Sequence, residues 1–126
     1  MSIEEYIGIP FKNHGRDLDG FDCWGFCIHY CKGLNRELPD FQYEKSDDET
    51  MSENYEKILM ELGNKVTKVS EPEKDDFILF KNSRGLFSHI GISLGNGRFI
   101  HCDLLGVRVL TLEHYNRQYE AYRWQQ

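Results

Sequence analysis

Ser88-His89-Ile90-Gly91-Ile92-Ser93-Leu94-Gly95-Asn96-Gly97-Arg98-Phe99-Ile100-His101-Cys102 reads as two strands joined by a tight turn, with a histidine on each arm. Its register decides what the histidines can do. A two-residue Asn96-Gly97 turn would set Ile92 opposite His101 and send the imidazoles to opposite faces. A three-residue Gly95-Asn96-Gly97 loop sets Leu94 opposite Arg98, Ile92 opposite Ile100 and Ile90 opposite Cys102. The second register is expected, because it gathers the apolar side chains on one face, whereas the first puts Ile90 against Asp103. It makes His89 and His101 diagonal neighbours on the other face, with Gly91 leaving room for the His101 ring.

The period of two extends on both sides of this hairpin. Strands are predicted at residues 65–69, 76–81, 88–94, 98–102, 106–111 and 118–124, separated by Gly, Asn, Ser and Pro. Upstream the periodicity is helical. Asp22 caps a helix with apolar residues at 23, 26, 27, 30, 31 and 34, which Lys32-Gly33 closes. Ser46-Asp47-Asp48-Glu49 has the form of a capping box for a second helix. Met51, Tyr55, Ile58, Leu59 and Leu62 form its apolar stripe, and Gly63 ends it. Residues 1–20, with Gly8, Pro10, Gly15 and Gly20, read as a short helical start followed by a loop. Helices first and strands afterwards imply one α+β domain over residues 1–126, its helices packed on a mostly antiparallel sheet of about five to six strands.

Composition narrows the functional classes. With 126 residues, 40 % apolar and 29 % charged, the chain is neither disordered nor collagen-like, and no apolar run is long enough to span a bilayer. The formal charge is −6, and residues 40–62 hold all of this excess, with eight acids against two bases. That stretch reads as a solvated face, and a chain without basic excess disfavours nucleic acid as a partner. The acidic start, Met1-Ser2-Ile3-Glu4-Glu5, lacks the pattern of a secretory signal, so synthesis in the cytoplasm is expected.

Cysteines stand at 23, 27, 31 and 102, and in a reducing cytosol no disulfide is expected. The first three share one helix face but not one environment. At the helix start, unpaired backbone N–H groups and the positive end of the dipole favour a Cys23 thiolate and could hold an oxyanion. Cys27 and Cys31 lie roughly 6 and 12 Å deeper, where that advantage is gone, and read as small buried residues. Cys23, His89 and His101 then make a nucleophile, a base and an orienting group.

Tyr6-Ile7-Gly8-Ile9-Pro10-Phe11, Gly15-Arg16-Asp17 and Gly20-Phe21-Asp22-Cys23-Trp24-Gly25-Phe26, followed by His89-Ile90-Gly91-Ile92-Ser93-Leu94-Gly95-Asn96-Gly97 and Ile100-His101, resemble the NlpC-type peptidoglycan endopeptidases. The likeness runs from Tyr6 to Tyr122-Arg123-Trp124. These are papain-like cysteine peptidases with a Cys-His-His site. The resemblance implies a papain-like fold and hydrolysis of an amide bond in peptidoglycan stem peptides, typically between D-glutamate and a diamino acid, through a thioester. By position Cys23 is the nucleophile, His89 the base and His101 the third member, with no cofactor and no metal. Asp-Cys-Trp-Gly with Gly-Arg-Asp upstream is similar to phage tail-associated members, which makes phage tail proteins candidate partners and the virion tail or the cell wall a candidate destination.

Three departures from the family pattern stand out. Phe11 occupies the place of a tyrosine whose hydroxyl lies near the nucleophile, His14 that of a glycine, and Asp75-Asp76 that of a Gly-Asp turn. Asp22, Trp24, Ser88 and Arg16 are candidate substrate contacts. For three of them a plainer role is also weighed: Asp22 as helix cap, Trp24 as groove wall or packing residue, and Arg16 paired with Asp17. His29 and His114 are assigned no role. A structural tail-tip module without catalysis, and a metal site from His101-Cys102 with Cys23 or Cys31, are the competing readings.

Overall fold

A computed structural model describes residues 1–41 and 48–125. The expected capping box, Ser46-Asp47-Asp48-Glu49, lies partly outside the described residues. The chain opens with a single turn, α1 (Ile3–Tyr6), closed by a Ser2–Glu5 capping box. A small hairpin, β1 (Arg16–Asp17) and β2 (Gly20–Phe21), leads directly into α2 (Cys23–Lys32). Sequence alone read that hairpin as loop, since two-residue strands carry no period. Helix α3 (Asp48–Leu62) follows and ends at Gly63, whose φ of 48° opens a short 3₁₀ turn. No helix among the described residues is long and apolar enough to cross a membrane.

The remaining strands are β3 (Val66–Val69), β4 (Phe77–Lys81), β5 (Phe87–Gly95), β6 (Arg98–Asp103), β7 (Gly106–Thr111) and β8 (Tyr119–Trp124). A one-turn helix, α4 (Leu112–Tyr115), precedes β8. All six pair antiparallel in the order β3-β8-β4-β5-β6-β7. The α+β architecture with a six-stranded antiparallel sheet matches the expectation, and each of these strands begins and ends within one residue of its predicted span. The final strand inserts between β3 and β4, a long-range pairing that no local pattern announces.

Strand alternation divides the apolar side chains between two faces. Phe77, Leu79, Ile90, Ile92, Ile100 and Cys102 join α2 and α3 in the main core. Ile78, Phe80 and Phe99 form a second cluster, covered by Leu110, Leu112 and Tyr115. On α3, Met51, Tyr55, Ile58 and Leu62 are buried while Glu49, Glu53, Glu56 and Glu61 are exposed, so the described part of the acidic stretch is indeed a solvated face.

The hairpin combines features of both registers weighed from sequence. Asn96 and Gly97 have φ of 55° and 75°, as a two-residue turn with both central residues left-handed requires. Gly95 therefore opposes Arg98, where Leu94 was expected. An irregularity between Ser93 and Gly95 absorbs the extra residue and restores Ile92 opposite Ile100. Burial of the apolar face fixes the pairing, and the bulge reconciles it with the turn that Asn-Gly prefers.

Candidate active site

Helix α2, which Cys23 opens, begins in a tightly braced loop. Asp22 is the N-cap of α2: its Oδ1 accepts from the Gly25 N–H at 2.7 Å. The same oxygen accepts from Arg16 Nη1 at 2.7 Å. Arg16 also donates to Asp40, to the Gly15 carbonyl and to the Phe41 carbonyl. Its partner is thus Asp22 rather than Asp17, whose carboxylate instead accepts from the Asp19 N–H. A side chain at Gly25 would collide with the Gly15 carbonyl oxygen, so a glycine there lets the loop lie against the helix. His14 holds φ at 59°, a left-handed conformation that glycine adopts without strain. Asp75, in place of the expected Gly-Asp glycine, does the same at 71°.

Cys23 opens α2 and is 5 % exposed. Its Sγ lies 3.3 Å from the Tyr55 hydroxyl of α3. Sequence reading placed Tyr55 only in a core stripe and expected Cys23 to lack a phenolic contact because of Phe11. A tyrosine does supply it, from a different element. The available signal was that a buried tyrosine needs a hydroxyl partner. Phe11 itself bridges to Phe21 and packs against the core.

His89 Nε2 and His101 Nδ1 are 2.6 Å apart, with ring centroids at 4.9 Å and planes at 77°. The imidazoles share one face, as the preferred register required. A Cβ on Gly91 would come to 3.1 Å from the Phe99 ring and 3.2 Å from the Ile100 carbonyl oxygen, and only to ordinary contact, 3.4 Å, with His101 Cβ, so the glycine relieves the Phe99 side and the strand backbone rather than the His101 ring. Phe80 stacks on His89, and Phe99 and Tyr115 pack edge-on against His101. The histidine face is therefore that of the second cluster.

Burial pushes His101 down to about 4; the nearby Asp103 carboxylate opposes this, and Arg108 and Arg117 reinforce it. His101 is thus neutral at pH 7, and one of its nitrogens accepts. Its Nε2 has no hydrogen-bond partner among the described residues and sits 3.8 Å from Asp103 Oδ2, which Arg108 holds at 2.7 Å. A proton on Nε2 faces that carboxylate. With the proton there, Nδ1 accepts from His89 Nε2–H, and in a neutral His89 the acceptor nitrogen is then Nδ1.

Cys102 connects the two halves. It points away from the histidine face and donates to the Phe21 carbonyl at 3.1 Å, two residues before Cys23. The start of α2 is thereby fixed to the face of β6 opposite the His101 ring. On α3, Ser52 Oγ accepts from the Phe87 N–H at 3.1 Å, so the helix that touches Cys23 also holds the first residue of β5.

The other candidate contacts are engaged within the protein. Trp24 is 1 % exposed and donates Nε1–H to the Pro39 carbonyl, packing against Phe41 and Tyr55. Ser88 Oγ accepts from Arg117 at 2.6 Å. His29 bonds Tyr6, and His114 bonds Thr111. No group of three His, Cys, Asp or Glu side chains converges as a metal site among the described residues.

Several known proteins are similar to this chain over most of its length. The sequence profile of the NlpC/P60 family matches residues 8–126. The probable peptidoglycan endopeptidase LytE of Bacillus subtilis is 31% identical over 108 residues, covering 86% of this chain and 27% of LytE. Protein P54 of Enterococcus faecium is 31% identical over 106 residues, covering 83% of this chain and 17% of P54. The chain thus spans about a quarter or less of those relatives. The NlpC/p60 domain of the peptidoglycan hydrolase SagA superposes with a TM-score of 0.64 at 26% identity, covering 94% of this chain and 90% of that domain. An NlpC/P60 family protein from Bacillus cereus shares the fold at a TM-score of 0.70 and 24% identity, over 97% of this chain and 37% of its own. With a braced cysteine at a helix start, a coupled histidine pair on the sheet and a profile match over nearly its whole length, the chain belongs to the NlpC/P60 family.

Proposed function

We propose that this chain is a cysteine peptidase that hydrolyses an amide bond in peptidoglycan stem peptides, between D-glutamate and a diamino acid. The observation that carries the reading is the 2.6 Å His89–His101 contact, in a chain whose nucleophile loop is tied to the strand bearing His101. This chemistry requires the Cys23 sulfur to come within reach of His89 Nδ1, which then takes its proton. The thiolate attacks the carbonyl carbon, and backbone N–H groups at the start of α2 hold the oxyanion. The C–N bond breaks as His89 returns the proton to the leaving amine. Water, deprotonated by His89, then cleaves the thioester, releasing the new carboxylate and restoring the cysteine. The bulge at Ser88 in β5, where Phe80 pairs with His89 but Lys81 with Phe87, supports this reading, because bulges re-aim side chains next to active sites.

Asp-Cys-Trp-Gly with Gly-Arg-Asp upstream supports a phage or prophage origin, with tail proteins as partners and delivery from the cytoplasm to the wall in a virion tail. Asp22 Oδ2, buried and without a hydrogen-bond partner among the described residues, is the candidate contact for a substrate amine. A second reading, a tail-tip module that keeps the fold without catalysis, draws on the burial of Cys23 and His89, 5 % and 8 % exposed. Purified peptidoglycan distinguishes the two. The native chain releases new amino groups, Cys23→Ala does not, and Cys27→Ala does. Equal release by Cys23→Ala overturns the peptidase reading.

A further inference from the structure

Of all the side chains in the main core, Tyr55 has the least ordinary position. It is 1 % exposed on the inner stripe of α3, where burying a hydroxyl without a partner would be costly. Its partner is the nucleophile: Cys23 Sγ lies 3.3 Å away. The ring is held by Trp24 at 6.2 Å and 76° and by Phe41 at 5.9 Å and 87°, so the hydroxyl is aimed rather than free to swing. One helical turn earlier, Ser52, 4 % exposed, bonds the Phe87 N–H of β5. Residues three apart share a helix face. One face of α3 therefore touches both the sulfur and the strand that carries His89.

We infer that Tyr55 is a further catalytic residue, whose hydroxyl donates a hydrogen bond to the Cys23 thiolate while α3, fastened to β5 by Ser52, holds it there. When the sulfur carries its proton, either atom can donate. Once the proton moves to His89, the sulfur can only accept, and the phenol, with an ordinary pKa near 10, is the group that donates. Charge-assisted bonds are roughly twice as strong as neutral ones, so the contact favours the thiolate over the thiol. Tyr55 thus adds to the amides of α2 and offsets part of the burial that opposes charge at a sulfur only 5 % exposed.

This inference rests on the reading of Cys23 as nucleophile, and its test does not need peptidoglycan. The rate of iodoacetamide alkylation at Cys23, followed by peptide mass spectrometry against pH, reads the thiolate directly. Cys27, Cys31 and Cys102, each 0 % exposed, give separate peptide signals. Tyr55→Phe keeps the ring and should keep the melting temperature within a few degrees. It is expected to move the Cys23 titration up by about one pH unit and to slow alkylation at pH 7 about tenfold. Rates at high pH, where the thiolate is complete, stay at or above those of the native chain. 3-Fluorotyrosine at position 55, a more acidic phenol in the same packing, moves the titration down. An unchanged profile in both variants overturns the inference even if the native chain cleaves peptidoglycan. Opposite shifts establish it even if no cleavage is found, in which case only the substrate reading falls.

Discussion

The first turn of α2 and its interior present the same side chain on the same face and give it different chemistry. Cys23, at the amino end, has the helix amides beneath it and the Tyr55 hydroxyl 3.3 Å from its sulfur. Cys27 is fully buried, and burial pushes its thiol well above the ordinary range, with the neighbouring Cys31 and Cys23 sulfurs adding to the effect. Cys31 is pushed up to about 12, again by burial first, although Arg36 opposes it. Two helical turns separate the sulfur at the helix start from one that burial keeps as a thiol. Position along the dipole and access to a hydrogen-bond donor, not residue type, decide reactivity.

The contrast is broken most directly by Cys23→Ala, expected to lower hydrolysis of peptidoglycan amide bonds by at least about 10³-fold, as measured by release of amino groups. Cys27→Ala, one turn away, stays within about twofold. The bracing of the first turn comes next. Asp22→Ala removes the helix cap and leaves Arg16 without its buried carboxylate, and should cost about 2–4 kcal/mol in denaturant unfolding. Cys27→Ser sharpens the comparison from the other end. A hydroxyl in the apolar interior should destabilise by about 1–3 kcal/mol without changing the pH profile of Cys23 alkylation.

A pH dependence extends the comparison to the histidines, since burial suppresses ionisation of His101 as it does of Cys27. The folded protein holds His101 at about 4 against 6.5 in the unfolded chain. Between those values the unfolded chain takes up a proton that the folded one does not. The contribution of His101 to stability is therefore complete above pH 6.5 and is lost as pH falls toward 4. Melting temperatures across that window should decline in the native chain, and the decline should be shallower in His101→Phe.

Much of this was legible before any coordinates. Asp22, at the start of an apolar helical stripe, marked the first residue of α2, because a capping carboxylate is a local feature. The two-residue period located every strand of the main sheet, and the demand that Ile90, Ile92 and Ile100 share a buried face put both imidazoles on the other. Tyr55 was visible only as a member of a stripe, since its distance from Cys23 depends on how α3 lies across the sheet. The pairing of Arg16 with Asp22 depended on the turn at residues 18–19, which no pattern marked. The left-handed residues His14 and Asp75 looked like departures from glycine, and each keeps the glycine-like backbone at the expense of local strain.

Sequence by itself determined the alternation, the caps and the side of the sheet on which each histidine stands, because these follow from periods of 3.6 and 2 residues and from the burial of apolar side chains. Tertiary structure alone decided that β8 enters between β3 and β4, that a bulge at Leu94 reconciles a tight turn with a buried face, and that the hydroxyl of Tyr55, 32 residues from Cys23, reaches its sulfur. Those outcomes depend on contacts between segments far apart in the chain, whose energies no local stretch contains.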